Sequence, residues 1–446
     1  MKKIDMTKGN VMSLLITLAI PIMGSSLLQF TYNLVDMLWV GGLGSNAVAS
    51  IGSSSFFIGL GYSINALVVV GTGIKTSHAI GAKYERAVKE YINAGNFINL
   101  IIALIYSLAL VFLGRNFISF LNLNNSSVNN GAYLYLLISG PMMFFAFFNT
   151  LYTRILNSYG NNKEALKINA IGIIINIILD PICIYFLKFG VVGAAGASLV
   201  ANIVIFILFA VKFREIFRFK FDIGIQRSKV LEIIKLGFPM SFQRILFTLV
   251  NIILARIIAI FGANAIAAQK IGLQVESVMF MVIGGLNGAI SSFVGQNYGA
   301  KKYKRIIDGY NSSLKIGIVY AAVAALLFIF IPDILVKIFI RDKATIIIAS
   351  GYLKVVAFSQ IFSAIEMISN GMFTGVGKPK IPATISIIFT ILRIPMALLL
   401  IKFLGVDGVW WSVALSSILK GTAAYILYLL IVKRKFKNKE KYPEVA

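Results

Sequence analysis

Gly44-Ser45-Asn46-Ala47-Val48-Ala49 returns later in the chain as Gly262-Ala263-Asn264-Ala265-Ile266-Ala267. The same offset carries Pro21 onto Pro239, and residues 21–83 match residues 239–301 without a gap. Because both copies lie in apolar sequence, the repeat indicates two structurally similar membrane halves. Many secondary transporters are built in this way and handle their substrate between the halves. Function is therefore expected where the two halves differ.

The amino-acid composition is that of a membrane protein. Of its 446 residues, 58% are hydrophobic and 13% are charged, and the mean hydropathy is +0.86. These values exclude an ordinary water-soluble domain. Twelve apolar stretches reach the roughly 20 residues needed to cross a bilayer of about 30 Å. They lie at residues 11–40, 48–74, 92–113, 131–157, 165–188, 190–212, 229–260, 265–294, 310–331, 347–374, 379–402 and 406–432. The sequence predicts an all-α polytopic membrane protein with 12 transmembrane helices in two pseudo-symmetric six-helix bundles.

The polar, basic and aromatic stretch 213–228 marks the boundary between the halves. We predict an N-terminal bundle at 1–212, a cytoplasmic linker at 213–228, a C-terminal bundle at 229–432 and a basic cytoplasmic tail at 433–446. The formal charge of +25 gathers in alternate loops, in the linker and in the tail, as the positive-inside rule requires. Both termini are therefore predicted to face the cytoplasm. The surplus charge indicates contact with anionic membrane lipids and not with nucleic acid.

Several function classes lack their motifs in this sequence. Gly71-Thr72-Gly73 has no lysine at the spacing of a phosphate-binding loop, so ATP-driven transport by this chain is not expected. One cysteine, Cys183, and one histidine, His78, supply neither a disulfide framework nor a His/Cys metal cluster. No catalytic cluster of acids with His, or of Ser with a base, is visible. We predict that the protein is not an enzyme and has no cofactor.

The acidic residues inside the first-half spans are the strongest functional candidates, because buried charges in a bilayer are costly. Asp36 on span 1, Asp180 on span 5 and Ser198 on span 6 all fall about 6–12 Å inside the outer boundary. Asn176 lies one turn deeper than Asp180 on the same helical face. This oxygen-only set suits a hard cation or a proton. The alternatives are that Asp36 ends a helix at the interface and that Asp180 caps a helix broken before Pro181.

The motifs resemble those of the multidrug and toxic compound extrusion (MATE) transporters. The resemblance is carried by the repeated proline, the Gly-x-Asn-Ala-x-Ala element, the run 269–277 and above all Val294-Gly295-Gln296-Asn297-Tyr298-Gly299-Ala300-Lys301. It covers nearly the whole chain. It implies two six-helix bundles in a V shape, which export organic cations and amphipathic drugs by alternating access, driven by inward Na⁺ or H⁺.

The resemblance also implies a coupling site of the DinF-like branch. That branch carries an aspartate on span 1, an Asn-x-x-x-Asp pair on span 5 and a hydroxyl on span 6. The matching residues here are Asp36, Asn176, Asp180 and Ser198. If Na⁺ is the coupling ion, its predicted ligands are the first three of these.

The second half differs from the first at these positions. Asp36 matches Leu254, and with small gaps Arg393 falls near Asn176. The cation site is therefore assigned to the first half. The second half has its own candidates for a cation or substrate site, which are Glu276, Gln269 and Glu366. The alternative for Glu276 is a structural ion pair with Arg256 or Arg393.

Substrate contacts and hinge points complete the sequence-based hypothesis. Soft apolar side chains accept varied ligands, and the candidates for a drug site are Tyr32, Phe147, Phe148, Met279 and Met281. The alternative for each is packing or lipid contact. Pro21, Gly24 and Pro181 are the predicted bending points, because helix kinks need identifiable breaks.

Two transport alternatives remain open, a flippase for a lipid-linked oligosaccharide and an exporter of one specific metabolite. The location predicted for any of these activities is the cell (inner) membrane. A functional monomer is the expected state, because one chain already contains both halves.

Overall fold

The computed structural model describes residues 4–123 and 125–441, which form helices and connecting turns. Residues 1–3 and 442–446, at the ends of the predicted N-terminal bundle and tail, lie outside the described residues. The α-helices are α1 Val11–Gly41, α2 Ser45–Gly81, α3 Glu85–Phe120, α4 Ser126–Ser158, α5 Asn162–Pro181, α6 Gly190–Lys212, α7 Arg214–Phe217, α8 Arg227–Ala259, α9 Ala263–Gly299, α10 Tyr303–Phe330, α11 Pro332–Lys337, α12 Lys343–Ala357, α13 Gln360–Gly375, α14 Lys380–Leu404, α15 Asp407–Leu427 and α16 Arg434–Lys441. Short π-helical segments follow α5 at Ile182–Phe186 and α15 at Tyr428–Lys433.

The number of membrane-spanning helices agrees with the prediction. Within the described residues, 11 helices are long and apolar enough to cross a bilayer. The helices α12 and α13 together are also long and apolar enough to cross once, which brings the number of spans to 12. The predicted single span at 347–374 is therefore a pair of helices bent by 59°. The bend lies at Ser359, whose hydroxyl donates to the Val356 carbonyl at 2.8 Å and so competes for a main-chain acceptor.

The outward faces of the helices suit a lipid environment. Large apolar side chains such as Ile105 and Phe112 on α3 are exposed, although water would penalise such a surface. In the first bundle, α4 packs on α2, α3 and α6, and α5 packs on α6. In the second bundle, α13 packs on α9, α10 and α15, and α14 packs on α15.

The chain divides into two compact units whose limits differ from the predicted halves. The first unit contains Gly24–Ser241, and the second contains Asp5–Met23 and the described residues from Phe242 onward. The helices α1 and α8, which begin the two repeats, are thus each divided two residues after the repeated proline. The start of α1 belongs with the second half and the start of α8 with the first.

Close backbone contacts explain why the start of α8 belongs to the first unit. A Cβ atom at Gly237 would lie 1.7 Å from the main-chain oxygen of Leu67 on α2. A Cβ atom at Gly71 of α2 would likewise lie 2.2 Å from the Ile233 carbonyl oxygen of α8. The Ser241 hydroxyl donates to the Ser63 carbonyl at 2.7 Å. Small residues that let helix backbones touch are the usual packing device in membranes.

Gly237→Ala is expected to destabilise the protein, because the added methyl group overlaps a main-chain atom. Overpacking of this kind costs about 1–3 kcal/mol, which should appear as a lower thermal unfolding midpoint in detergent. Gly196→Ala on α6 is the matched control, since no heavy atom lies within 4 Å of its Cβ position. Equal midpoints for the two variants would contradict the close crossing.

Candidate functional site

A chain of hydrogen bonds joins α1, α5 and α6 inside the first unit. Asn176 Nδ2 donates to Asp180 Oδ1 at 3.0 Å. The Ser198 hydroxyl donates to Asn176 Oδ1 at 3.4 Å, and it lies 3.2 Å from the Tyr32 hydroxyl. The structure therefore brings three of the four predicted coupling residues into direct contact, together with Tyr32 from the predicted substrate contacts.

Asp36 lies beside this chain, one turn after Tyr32 on α1. Its carboxylate is half-buried. It is close enough for its charge to act on Asp180, Tyr32 and Tyr135. Two carboxylates thus share one small region with hydroxyl and amide groups. The helix α1 continues through Asp36 to Gly41, so this acid lies inside the helix and not at its end.

The hydrogen-bond chain engages only one of the two carboxylate oxygens of Asp180. The side chain is 0% exposed, and Oδ2 accepts no hydrogen bond from any described residue. An isolated buried carboxylate is unfavourable unless it is paired, protonated or bound to a cation. Carboxylate, amide and hydroxyl oxygens are the donor set of hard cations. The donor set therefore fits either a proton or Na⁺.

The backbone around Asp180 excludes the alternative that this residue caps the start of a helix. The helix α5 runs through Asp180 to Pro181 and continues as a π-helical segment at Ile182–Phe186. Its widened turn is closed by a hydrogen bond from the Leu187 amide to the Ile182 carbonyl at 2.9 Å. Asp180 thus lies in the last turn of α5 and does not begin a helix. Single π turns inside helices frequently mark functional sites.

Further polar residues near the site were not identified from the sequence. Asn202 donates to the Ser198 carbonyl at 3.0 Å, and Asn149 of α4 donates to Asn202 Oδ1 at 3.1 Å. Tyr135 of α4 lies near both acids. The only sequence signal was the presence of isolated amides and phenols in apolar spans, where polar groups need partners.

The other predicted substrate contacts lie in different surroundings. Phe147 and Phe148 are buried in the core of the first unit, where Phe147 stacks on Tyr106 and Phe148 packs against Phe206. In the second unit, Met279 is buried and Met281 is half-buried on α9. A role in substrate binding stays a prediction for these four residues.

The predicted bending points lie on or beside the helices of the site. Pro21 is inside the continuous helix α1, and Pro181 joins α5 to its π-helical extension. Gly24 is the first residue of α1 that belongs to the first unit. A Cβ atom there would only touch Leu166, at 3.4 Å.

The second-unit acids have separate environments. Glu276 is buried on α9 and accepts hydrogen bonds from the Tyr352 hydroxyl and from Gln360 Nε2, the latter at 2.8 Å. Arg393 acts on it only electrostatically. Glu366 and Gln269 are both half-buried. Within the described residues, the contact partners of Glu276 are thus neutral, and the alternative of an ion pair with Arg256 or Arg393 is not seen.

The motif at residues 294–301, which carries most of the family resemblance, has a structural role. Gln296 Oε1 accepts a hydrogen bond from the Met6 amide at 3.2 Å, and Asn297 Nδ2 donates to the Met6 carbonyl at 3.0 Å. Arg305 Nη1 donates to the Gly9 carbonyl at 2.8 Å. The motif therefore fastens the segment before α1 to the second unit.

The duplicated helical bundles and the buried polar site together define a polytopic membrane transporter. The sequence profile of the MatE family matches residues 21–182 and 239–399, so each repeat is matched from its first proline. The chain belongs to the MatE family, whose members are transporters and not enzymes. The finer assignment to the DinF-like branch stays a prediction.

The sequences of related proteins match this chain over almost its full length. It is 26% identical over 430 residues to "Probable multidrug resistance protein NorM" of Thermotoga maritima, covering 93% of this chain and 91% of that protein. It is 24% identical over 440 residues to "Multidrug export protein MepA" of Staphylococcus saprophyticus, covering 96% and 95%. Among solved structures, an outward-facing multidrug resistance MATE family transporter of the MOP superfamily superposes with a TM-score of 0.91 at 22% identity, covering 97% and 98%. At this identity the structural likeness shows the fold alone.

Proposed function

We propose that the protein is a secondary active transporter of the cell membrane that exports cationic or amphipathic organic compounds in exchange for Na⁺ or H⁺. The observation that carries the proposal is the buried Asp180 carboxylate, which Asn176 holds and whose second oxygen has no partner among the described residues. Such a group gains from binding a cation or proton that arrives down a gradient. The relatives named for multidrug resistance and export support the substrate class.

Ion binding and substrate binding compete for the same negative charge in this mechanism. Without a coupling ion, Asp36 and Asp180 attract an organic cation. A proton or Na⁺ that enters from outside neutralises one carboxylate and weakens that attraction. Tyr32 links the ion to α1, because its hydroxyl contacts Ser198 next to Asn176.

The helix α1 transmits the change by bending. Pro21 interrupts its hydrogen bonds, as an internal proline must, and the helix passes from one compact unit to the other between Met23 and Gly24. A change of charge at Asp36 can therefore be relieved by movement at this point. Alternating access then exposes the substrate to each side of the membrane in turn.

The orientation in the membrane and the lipid contacts are inferred from the distribution of basic residues. Cytoplasmic termini agree with the positive-inside rule, and basic loops contact anionic lipids. A monomer is the proposed working unit, because the repeat supplies both bundles.

Proteoliposomes test the coupling directly. The probe is rhodamine B ethyl ester, a permanent cation whose charge does not change with pH. We expect either an inward Na⁺ gradient or an inward pH gradient to drive its movement, and an ionophore that collapses that gradient to stop it. Protein-free liposomes are the control. Movement that depends on the protein but ignores both gradients would contradict antiport and favour the flippase.

A further inference from the structure

The second unit carries two buried cations in the middle of its spans. Arg393 on α14 is 6% exposed and Lys420 on α15 is 3% exposed. Each lies near the centre of a helix that is long enough to cross the bilayer. Charged side chains at such depth are rare and usually functional. Neither residue takes part in the coupling site of the first unit.

These cations occupy the place that the acidic site holds in the other repeat. At the offset of the repeat, Ser416 matches Ser198, and the two serines make equivalent contacts. Ser198 bonds to Asn176, whereas Ser416 accepts a hydrogen bond from Arg393 Nε at 2.6 Å. The scaffold of the site is thus retained with an arginine in place of the amide.

The second cation follows the same correspondence. Lys420 matches Asn202 at the repeat offset, one turn after the shared serine. Arg393 Cζ lies 5.8 Å and Lys420 Nζ lies 5.9 Å from the centroid of the same ring, that of Phe247 on α8. Both cations therefore lie beside one aromatic ring, which attracts cations but does not neutralise them.

The hydrogen-bonding capacity of this pair is only partly used. Arg393 Nε and Nη2 donate to Ser416 and Ser417, the latter at 3.4 Å, whereas a guanidinium has five N–H donors. Within the described residues, neither Arg393 nor Lys420 forms an ion pair, and Lys420 donates no hydrogen bond. A buried ammonium with no acceptor is unfavourable. It calls for an anionic partner.

The nearby carboxylates do not supply that partner by contact. Glu276 is already bound by Tyr352 and Gln360. Glu366 is half-buried and acts on Arg393 and Lys420 only through its electrostatic field. Two positive groups that point to one ring therefore remain without a contacting oxyanion.

We infer that Arg393 and Lys420 form a subsite for an oxyanion, a carboxylate or phosphate, carried by the transported compound. A planar guanidinium binds two oxygens at once, and the ammonium adds a point charge. The inference rests on the proposed export function and refines its substrate class. It predicts that zwitterionic amphipaths, which carry a cation and an oxyanion, bind better than their esters.

A pair of dyes tests the subsite by binding alone. Rhodamine B carries a carboxylate, and its ethyl ester is the same cation without that charge. Fluorescence anisotropy with the full chain in phosphatidylcholine nanodiscs measures the affinity for each dye. We expect Lys420→Asn to weaken rhodamine B binding about tenfold, which is the usual effect of losing one charge-assisted hydrogen bond. The ester should bind unchanged, and Lys420→Arg should retain rhodamine B binding.

Each other outcome overturns the subsite. Equal loss of both dyes in Lys420→Asn would show a structural role for the lysine. Unchanged binding of both dyes would show that the lysine contacts neither. If phosphatidylglycerol in the nanodisc displaced rhodamine B only when Lys420 is present, and rhodamine B was not transported, the oxyanion would belong to a bilayer lipid. The binding assay uses no gradient, so failure of ion coupling would not imitate any of these results.

Discussion

Asp180→Asn is expected to abolish ion-driven export and to weaken binding of the organic cation, while the protein still folds. Asparagine has nearly the same shape and can keep the bond to Asn176, but it cannot take up a proton or offer a charge to Na⁺. Contacts to a charged group contribute about 1.5–3 kcal/mol. The affinity for Na⁺ should therefore fall by about one to two orders of magnitude, and proton uptake at this position should be lost.

The measurement is transport of rhodamine B ethyl ester by proteoliposomes under the gradient that drives the wild type. Asp222→Asn is the matched control, because Asp222 is exposed on the linker between α7 and α8 and should export normally. Asp36→Asn should behave like Asp180→Asn, since the two carboxylates are close enough for their charges to interact. Wild-type rates in Asp180→Asn, at an unchanged gradient, would remove this carboxylate from the coupling mechanism.

The helices and the proximity of Asn176, Asp180 and Ser198 could be predicted from the sequence for a physical reason. A transmembrane helix must satisfy its own backbone, so its apolar length is visible in the sequence. Depth along such a helix is then set by a constant rise. The sequence therefore places Asp180 and Ser198, which lie on different helices, at one depth in the membrane. The structure joins them through Asn176.

The division of α1 and α8 between the units could not be predicted in this way. It depends on which backbone each helix touches, as Gly237 touches Leu67, and apolar periodicity carries no information about that choice. For the same reason, the sequence did not assign Tyr135 to the site. In a chain with 34 phenylalanines and 18 tyrosines, aromatic type alone does not separate site residues from packed ones such as Phe147.

Glu276→Ala is expected to cause a large loss of stability. The Glu276 carboxylate is 5% exposed and accepts hydrogen bonds from Tyr352 and Gln360. The tyrosine ring reaches it across Gly272, whose Cβ position would lie 2.2 Å from Tyr352 Cδ1. Alanine would leave two buried hydrogens without an acceptor, that of the Tyr352 hydroxyl and the one on Gln360 Nε2 that does not bond to the Val356 carbonyl. Each such group costs about 1–3 kcal/mol, so the free energy of unfolding should fall by about 3 kcal/mol.

Glu276→Gln separates this structural role from ion binding, because its amide oxygen still accepts the bond from Tyr352. We expect thermal unfolding in detergent to show a much smaller loss for Glu276→Gln than for Glu276→Ala, and transport to keep its dependence on the driving ion. Tyr352→Phe, which removes one donor and leaves the carboxylate, should fall between them. The opposite pattern, a stable Glu276→Gln that no longer responds to the ion gradient, would make Glu276 a second coupling group. Its neutral partners argue for the structural role, because Tyr352 and Gln360 satisfy both carboxylate oxygens and leave neither for a cation.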